Sequence, residues 1–249
     1  MRVFLHDLSF EGLLSAIYDA YYSPNKPEKI YCRNFYRENL LDEVVDIKTD
    51  EVKFEKVFNA IKNKISKDSL NKIYLVFLSE YEESSNLIYD YIRMGFKLGK
   101  EVELHKNNDI VLNIDKISKK VAYEKHRFTG FVRFKEVNNV LYSSIEPDFN
   151  ILPIIANHFK NRLANEYFII HDIKRNLAIV YDKNDYYLTS LSKSQKDKLL
   201  NAKDSGQYET LWKQYFKSTN IKERENLRLQ SRMMPKRYRH NMVEVKESK

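Results

Sequence analysis

Apolar residues recur at helical spacing in three stretches of the first hundred positions. Phe10, Leu13, Leu14, Ile17, Tyr18 and Tyr21 predict a helix that Ser9 can open and that Pro24 and Pro27 close. Phe54, Val57, Phe58, Ile61 and Ile65 predict a second, and Leu87, Ile88, Tyr91, Met94 and Leu98 a third. Short β signals lie between them: RVFL at 2–5, IYC at 30–32 and VVDIK at 44–48. The run KIYLVFLS at 72–79 is apolar on both faces and predicts a central strand.

The pattern then shifts toward a period of two. A helix is expected from about 113 to 124. The segment FTGFVRF follows as a strand, with Phe128, Val132 and Phe134 on one face and Thr129, Phe131 and Arg133 on the other. Asn138-Asn139 marks a tight turn into VLYSSI, which Pro147 ends because proline cannot donate to a ladder. Asn150 is placed to cap a helix with Leu152, Ile155, Phe159 and Leu163 inward. EYFIIHDI and NLAIVYD form a second hairpin across Lys174-Arg175-Asn176, and DYYLTSL extends the sheet. Tyr208, Leu211, Trp212, Tyr215 and Phe216 predict a helix docked on the core. The expected fold is α+β. A small α/β layer occupies 1–107, and 108–249 forms a mostly antiparallel sheet with a ββαββ core, ending in a basic helical tail at 211–249.

Composition sharpens this picture in three ways. Only 5 Gly and 5 Pro stand against 18 Tyr and 14 Phe, which predicts an ordered, aromatic-rich core rather than a linker. The single cysteine, Cys32, excludes an internal disulfide and a cysteine-based zinc site. No apolar run is long enough to span a membrane and the first twenty residues lack signal-peptide order, so a soluble, cytoplasmic protein without a membrane partner is expected. The net charge of +8 is concentrated: residues 211–249 hold eleven Lys and Arg against four Glu, or +7.

That asymmetry points to a polyanion. Arg224, Arg228 and Arg232 recur every fourth residue and form a basic stripe if helical, and Pro235 starts a turn bearing Lys236, Arg237, Tyr238 and Arg239. Such cations would neutralise phosphates with release of counterions. Arg127, Arg133 and Arg175 are placed with them, and Lys119, Lys120 and Lys125 could continue the surface. Tyr186-Tyr187 could stack on unpaired bases or pack on the sheet.

A catalytic reading stands beside the binding one. Pro147-Asp148 followed by Asp172-Ile173-Lys174 has the form PD…DxK. Asp148 and Asp172, with Glu146 as an extra carboxylate, would hold Mg²⁺ while Lys174 activates water. The structural alternative has Asp148 capping a helix and Asp172 pairing with Arg175 at a turn. His126, His158 and His171 match no ligand spacing and are expected to be packed. No GxGxxG, GxxxxGK[ST] or GxSxG motif occurs.

Taken together, GFVRF, LYSSIEPDFNILPIIANHF, IIHDIKR, LWKQYFK, the IKER run and MPKRY resemble an uncharacterised bacterial family described as DNA-repair or DNA-metabolism proteins. HDLSFEGLLSAIYDAY is similar to that family's start, which usually reads YDGSFEG and so has a glycine where this chain has Leu8. In that family the C-terminal half also occurs fused to uracil-DNA-glycosylase-like domains, and the gene neighbours a radical SAM protein. The resemblance therefore implies DNA work beside a radical SAM protein or a glycosylase, without defining a reaction. Three functions are carried forward: a DNA-binding accessory protein, an Mg²⁺-dependent phosphodiester enzyme, and a scaffold that binds an acidic protein.

Overall fold

In a computed structural model, the chain begins with β1 (Arg2–His6), whose buried Val3, Phe4 and Leu5 sit between two parallel neighbours, β2 (Lys29–Cys32) and β3 (Glu43–Asp46). Residues 1–202, 208–219, 221–235, 238, 239 and 242 are described. They fall into two compact units, 1–122 and 123–249.

In the first unit the expected helix after β1 is α1 (Phe10–Tyr22). Its Ser9 N-cap accepts from Gly12 N, and Asp7 accepts from Ser9 N at 2.9 Å and from Thr49 Oγ1 at 2.7 Å. Gly12 is required by this cap, because a Cβ there would overlap Asp7 Oδ1 and stand 2.9 Å from Thr49 Oγ1. The second helix is α2 (Glu51–Ala60), prolonged by a π turn at Ile61–Ile65. The run at 72–79, expected as a strand, lies instead in α3 (Lys67–Phe77) and the turn after it. Ser66 caps the helix by accepting from Ser69 N, and Ile73 and Val76 are buried one turn apart. Tyr74 and Phe77 meet Phe10 at ring distances of 5.1 and 5.3 Å. With most of its faces covered, such a run shows no amphipathic period, so helix and strand cannot be separated by pattern. α4 (Ser84–Leu98) carries the third predicted stripe, and α5 (Asp109–Phe131) follows.

α5 corrects a second expectation. It extends through Phe131, so FTGFVRF is mostly the end of a helix. Gly130 has nothing within 4 Å of a built Cβ, and it is tolerated in the last, open turn. The first strand of the second unit is therefore the short β4 (Lys135–Val137). It turns through Asn138 and Asn139, both at positive φ (52° and 63°), into β5 (Val140–Ile145), as the two-residue turn signal predicts.

α6 (Leu152–Arg162) then crosses over to β6 (Phe168–Asp172), which lies parallel to β5. Leu152, Ile155, Ala156 and Phe159 of α6 are buried. The expected Asn150 cap is absent: Ile151 stands at the N-cap without a side-chain bond, and Asn150 Oδ1 has no partner among the described residues. β7 (Leu177–Tyr181) and β8 (Tyr186–Ser190) complete a sheet of order β4-β5-β6-β7-β8, antiparallel except between β5 and β6. The fold is α+β. The pattern missed α7 (Lys193–Asn201), although Ser192 and Gln195 form a capping box at its start. α8 (Tyr208–Thr219) and α9 (Leu227–Met233) end the described architecture. Among the described residues no helix is long and apolar enough to cross a membrane.

His6, at the end of β1, is buried, and its Nε2 is 2.8 Å from Ser85 Oγ. Burial lowers its pKa from 6.5 to about 4, against a smaller opposing effect of Asp7. Below pH 6.5 the unfolded chain takes up a proton that the folded chain refuses until about pH 4. This contribution is complete above pH 6.5 and is lost as pH falls from there to about 4, by about 3 kcal/mol. Denaturant midpoints measured across that interval should fall, and His6→Gln should flatten the profile.

Candidate functional site

The charged turns at the ends of β5 and β6 meet around Pro147–Phe149. From the C-terminal part of α5, which belongs to the second unit, the buried Glu124 carboxylate reaches this turn. Its Oε1 accepts from Asp148 N at 2.9 Å and its Oε2 from Phe149 N at 2.8 Å. From the other side, Arg175 Nη1 donates to Pro147 O at 3.2 Å and Nη2 to Asp148 O at 2.8 Å. Lys174 Nζ also reaches Asp148 O, at 3.4 Å. The turn's amides thus face a carboxylate while its carbonyls face a guanidinium.

Arg175 is further fixed by Asp172. Its Nη1 lies 2.9 Å from Asp172 Oδ2 and its own N lies 3.2 Å from Oδ1, with the Asp172 side chain fully buried and that of Arg175 9 % exposed. This is the pairing that the structural alternative anticipated for Asp172. The same contacts engage Nη1 and Nη2 of Arg175, which the sequence groups with the candidate nucleic-acid-binding cations, with the 147–149 turn and Asp172. Lys174 is turned to the carbonyl of Asp148. Among the described residues no group of three His, Cys, Asp or Glu side chains is arranged to hold a metal.

The three histidines do not converge. His126 and His158 are exposed, the latter edge-on to Phe159. His171 is fully buried, with Nδ1 3.0 Å from Tyr142 Oη. Burial lowers the His171 pKa, helped by Lys196, and pushes that of Tyr142 up to about 12. His171 Nε2 meets no partner at hydrogen-bond geometry among the described residues, although the Asn176 amide is near enough to oppose the shift.

The basic tail divides into an anchor and an exposed part. Tyr238, expected to stand among the binding cations, is instead buried: its hydroxyl donates to Glu124 Oε1 at 2.5 Å and its ring packs 5.0 Å from Phe128. Arg239 clips α9 through Nε to Met234 O and Nη2 to Ser231 Oγ. Arg224, Arg228 and Arg232 are exposed, but the stripe is not one helix. Arg224 lies in a 3-10 turn (Lys222–Arg224), and Asn226 caps α9 afresh by accepting from Leu229 N. Lys236 and Arg237 lie outside the described residues. Arg127 sits 5.6 Å from the Tyr123 ring, and Arg133 lies 4.8 Å over Trp212 while donating to Gly130 O and Val132 O.

α8 touches β4, but the apolar side expected to be buried on the core stays substantially exposed. Leu211, Trp212, Tyr215 and Phe216 are 55, 37, 58 and 37 % exposed. Elsewhere in this unit a cleft of about 740 Å³ opens beside the β4–β5 turn. Among the described residues its lining includes Glu136 and Glu166 and the cation Lys183, which lies 4.4 Å over Tyr167. That charge balance disfavours a phosphate there.

Glu124 was not identified from sequence, although a signal exists. Ile114, Ile117, Val121, Glu124 and Phe128 follow one another at alternating steps of three and four, the spacing of one helix face. A lone carboxylate among apolar residues on such a face marks a buried acceptor.

A family model described as a domain of unknown function, DUF4130, matches residues 82–244. No curated protein matches the chain.

Replacing Arg175 with Met would leave Asp172 buried without its cation, and should destabilise the second unit by about 3–5 kcal/mol in denaturant unfolding. Glu124→Ala, which strands two backbone amides and the Tyr238 hydroxyl, should cost at least about 1–3 kcal/mol and free the tail to limited proteolysis.

Proposed function

Since the chain belongs to the DUF4130 family, which is described by its unknown function, its activity has to be read from its own residues, and we propose that it binds nucleic acid through its C-terminal helices. The observation that carries this reading is the exposure of Arg224, Arg228 and Arg232 on a segment held to the sheet unit by the buried Tyr238. Their charge is concentrated, since +7 of the +8 falls in residues 211–249. A guanidinium on an anchored helix gives up less conformational freedom on meeting a phosphate than one on a loose chain. Each such contact releases counterions and adds affinity that does not depend on sequence.

DNA rather than RNA, and a cytoplasmic role in repair beside a radical SAM protein or a uracil-DNA-glycosylase-like protein, rest on the resemblance of the motifs alone. The Mg²⁺-dependent reading with Asp148, Asp172 and Lys174 has weaker support, because Asp172 is engaged by Arg175. A scaffold for an acidic protein would use the same cations, and co-purifying nucleic acid distinguishes the two.

The full chain should bind DNA with roughly micromolar affinity that weakens steeply with salt. Changing Arg224, Arg228 and Arg232 together to Ala should lower the slope of log K against log salt by about three. Unchanged affinity and slope in that variant would overturn the proposal.

A further inference from the structure

A soluble helix with one apolar stripe ordinarily buries it, because a contiguous exposed apolar surface is unfavourable in water. α8 does not. Positions 211, 212, 215 and 216 are neighbours at i, i+1, i+4 and i+5 and form one stripe along two turns, and three of the four side chains are aromatic. Trp212 and Tyr215 lie with ring centroids 5.7 Å apart, and Arg133 covers Trp212 at 4.8 Å. The exposed Arg224 is five residues beyond the end of α8 at Thr219, so its Cα stands within about 17 Å of that end even if the connection is fully extended. Aromatic faces and phosphate-binding cations therefore lie within a few nucleotides' span of one another.

The combination narrows the occupant. An acidic protein would meet the arginines but has no need of the rings, and an apolar partner helix would cover the rings while leaving the arginines unused. A duplex would engage the cations through its phosphates, yet its bases are already stacked and would leave the rings in water. A single strand uses both elements at once, since every unpaired base has a π face and every link a charge. We infer that the α8 surface takes single-stranded nucleic acid, with unpaired bases stacked on Trp212, Tyr215 and Phe216 and the backbone running toward Arg224. This rests on the nucleic-acid reading and specifies its substrate class.

Trp212 is the only tryptophan of the chain, so its fluorescence reports on this surface directly. The full-length protein would be titrated with oligodeoxythymidylate and with a blunt duplex carrying the same number of phosphates. The single strand should quench Trp212 and bind at least about tenfold more tightly than the duplex. Tyr215→Ala and Phe216→Ala should each weaken single-strand binding by about tenfold and leave duplex binding unchanged, while Tyr215→Phe keeps it. Both side chains are exposed, and unchanged helicity and melting of the variants separates lost stacking from lost folding. Equal affinity for duplex without quenching overturns this inference and leaves phosphate binding in place. Binding of neither overturns both.

Discussion

A buried carboxylate can persist only if donors come to it, and Glu124 draws three: two consecutive amides of the turn after β5 and the hydroxyl of Tyr238. The rest of the second unit is arranged around that requirement. The turn presents its N–H groups to Glu124 and turns its carbonyls away, toward Arg175, with Lys174 a second donor to that of Asp148. Arg175 in turn needs an anion at its back, and Asp172 supplies it from the end of the neighbouring parallel strand. Glu124, the 147–149 turn, Arg175 and Asp172 thus alternate in sign from α5 to β6. Removing any one takes a charged partner from buried groups on either side of it.

This alternation explains why a nuclease-like residue pattern can occur without a visible ion site among the described residues. The order PD…DxK describes spacing along the chain, whereas metal binding needs carboxylate oxygens turned toward a common point. Here Asp172 is turned toward a guanidinium, and Asp148 is held through its backbone, by its N–H on one side and its carbonyl on the other.

Much of the second unit was legible. Alternating residues marked β5, β6, β7 and β8, and Asn138-Asn139 and Asn176 stood where positive φ was needed. The failures have particular physical causes. At 72–79 burial on most sides erased the period that separates helix from strand. At 128–134 apolar alternation coincided with helical spacing from Glu124 to Phe128 and Phe131, and packing against Tyr238 decided for the helix. In α8 the periodicity correctly located an apolar side, but a period contains no information about what faces that side. The candidate site was half legible for the same reason. The cations could be counted, whereas the inward turn of Tyr238 depends on an acceptor 114 residues away and that of Arg175 on carbonyls 27 and 28 residues away.

The bond between Tyr238 and Glu124 spans nearly half the chain. Closing so long a loop costs entropy that only an already assembled sheet and helix can offset. During synthesis residue 238 also emerges after every described strand, so the tail's anchor is the last of Glu124's three donors to become available. The placement of the cationic helix α9 therefore depends on the fold beneath it, through the Tyr238 contact. A nascent or half-folded chain would carry the same charges without the anchored arrangement that Tyr238 gives them.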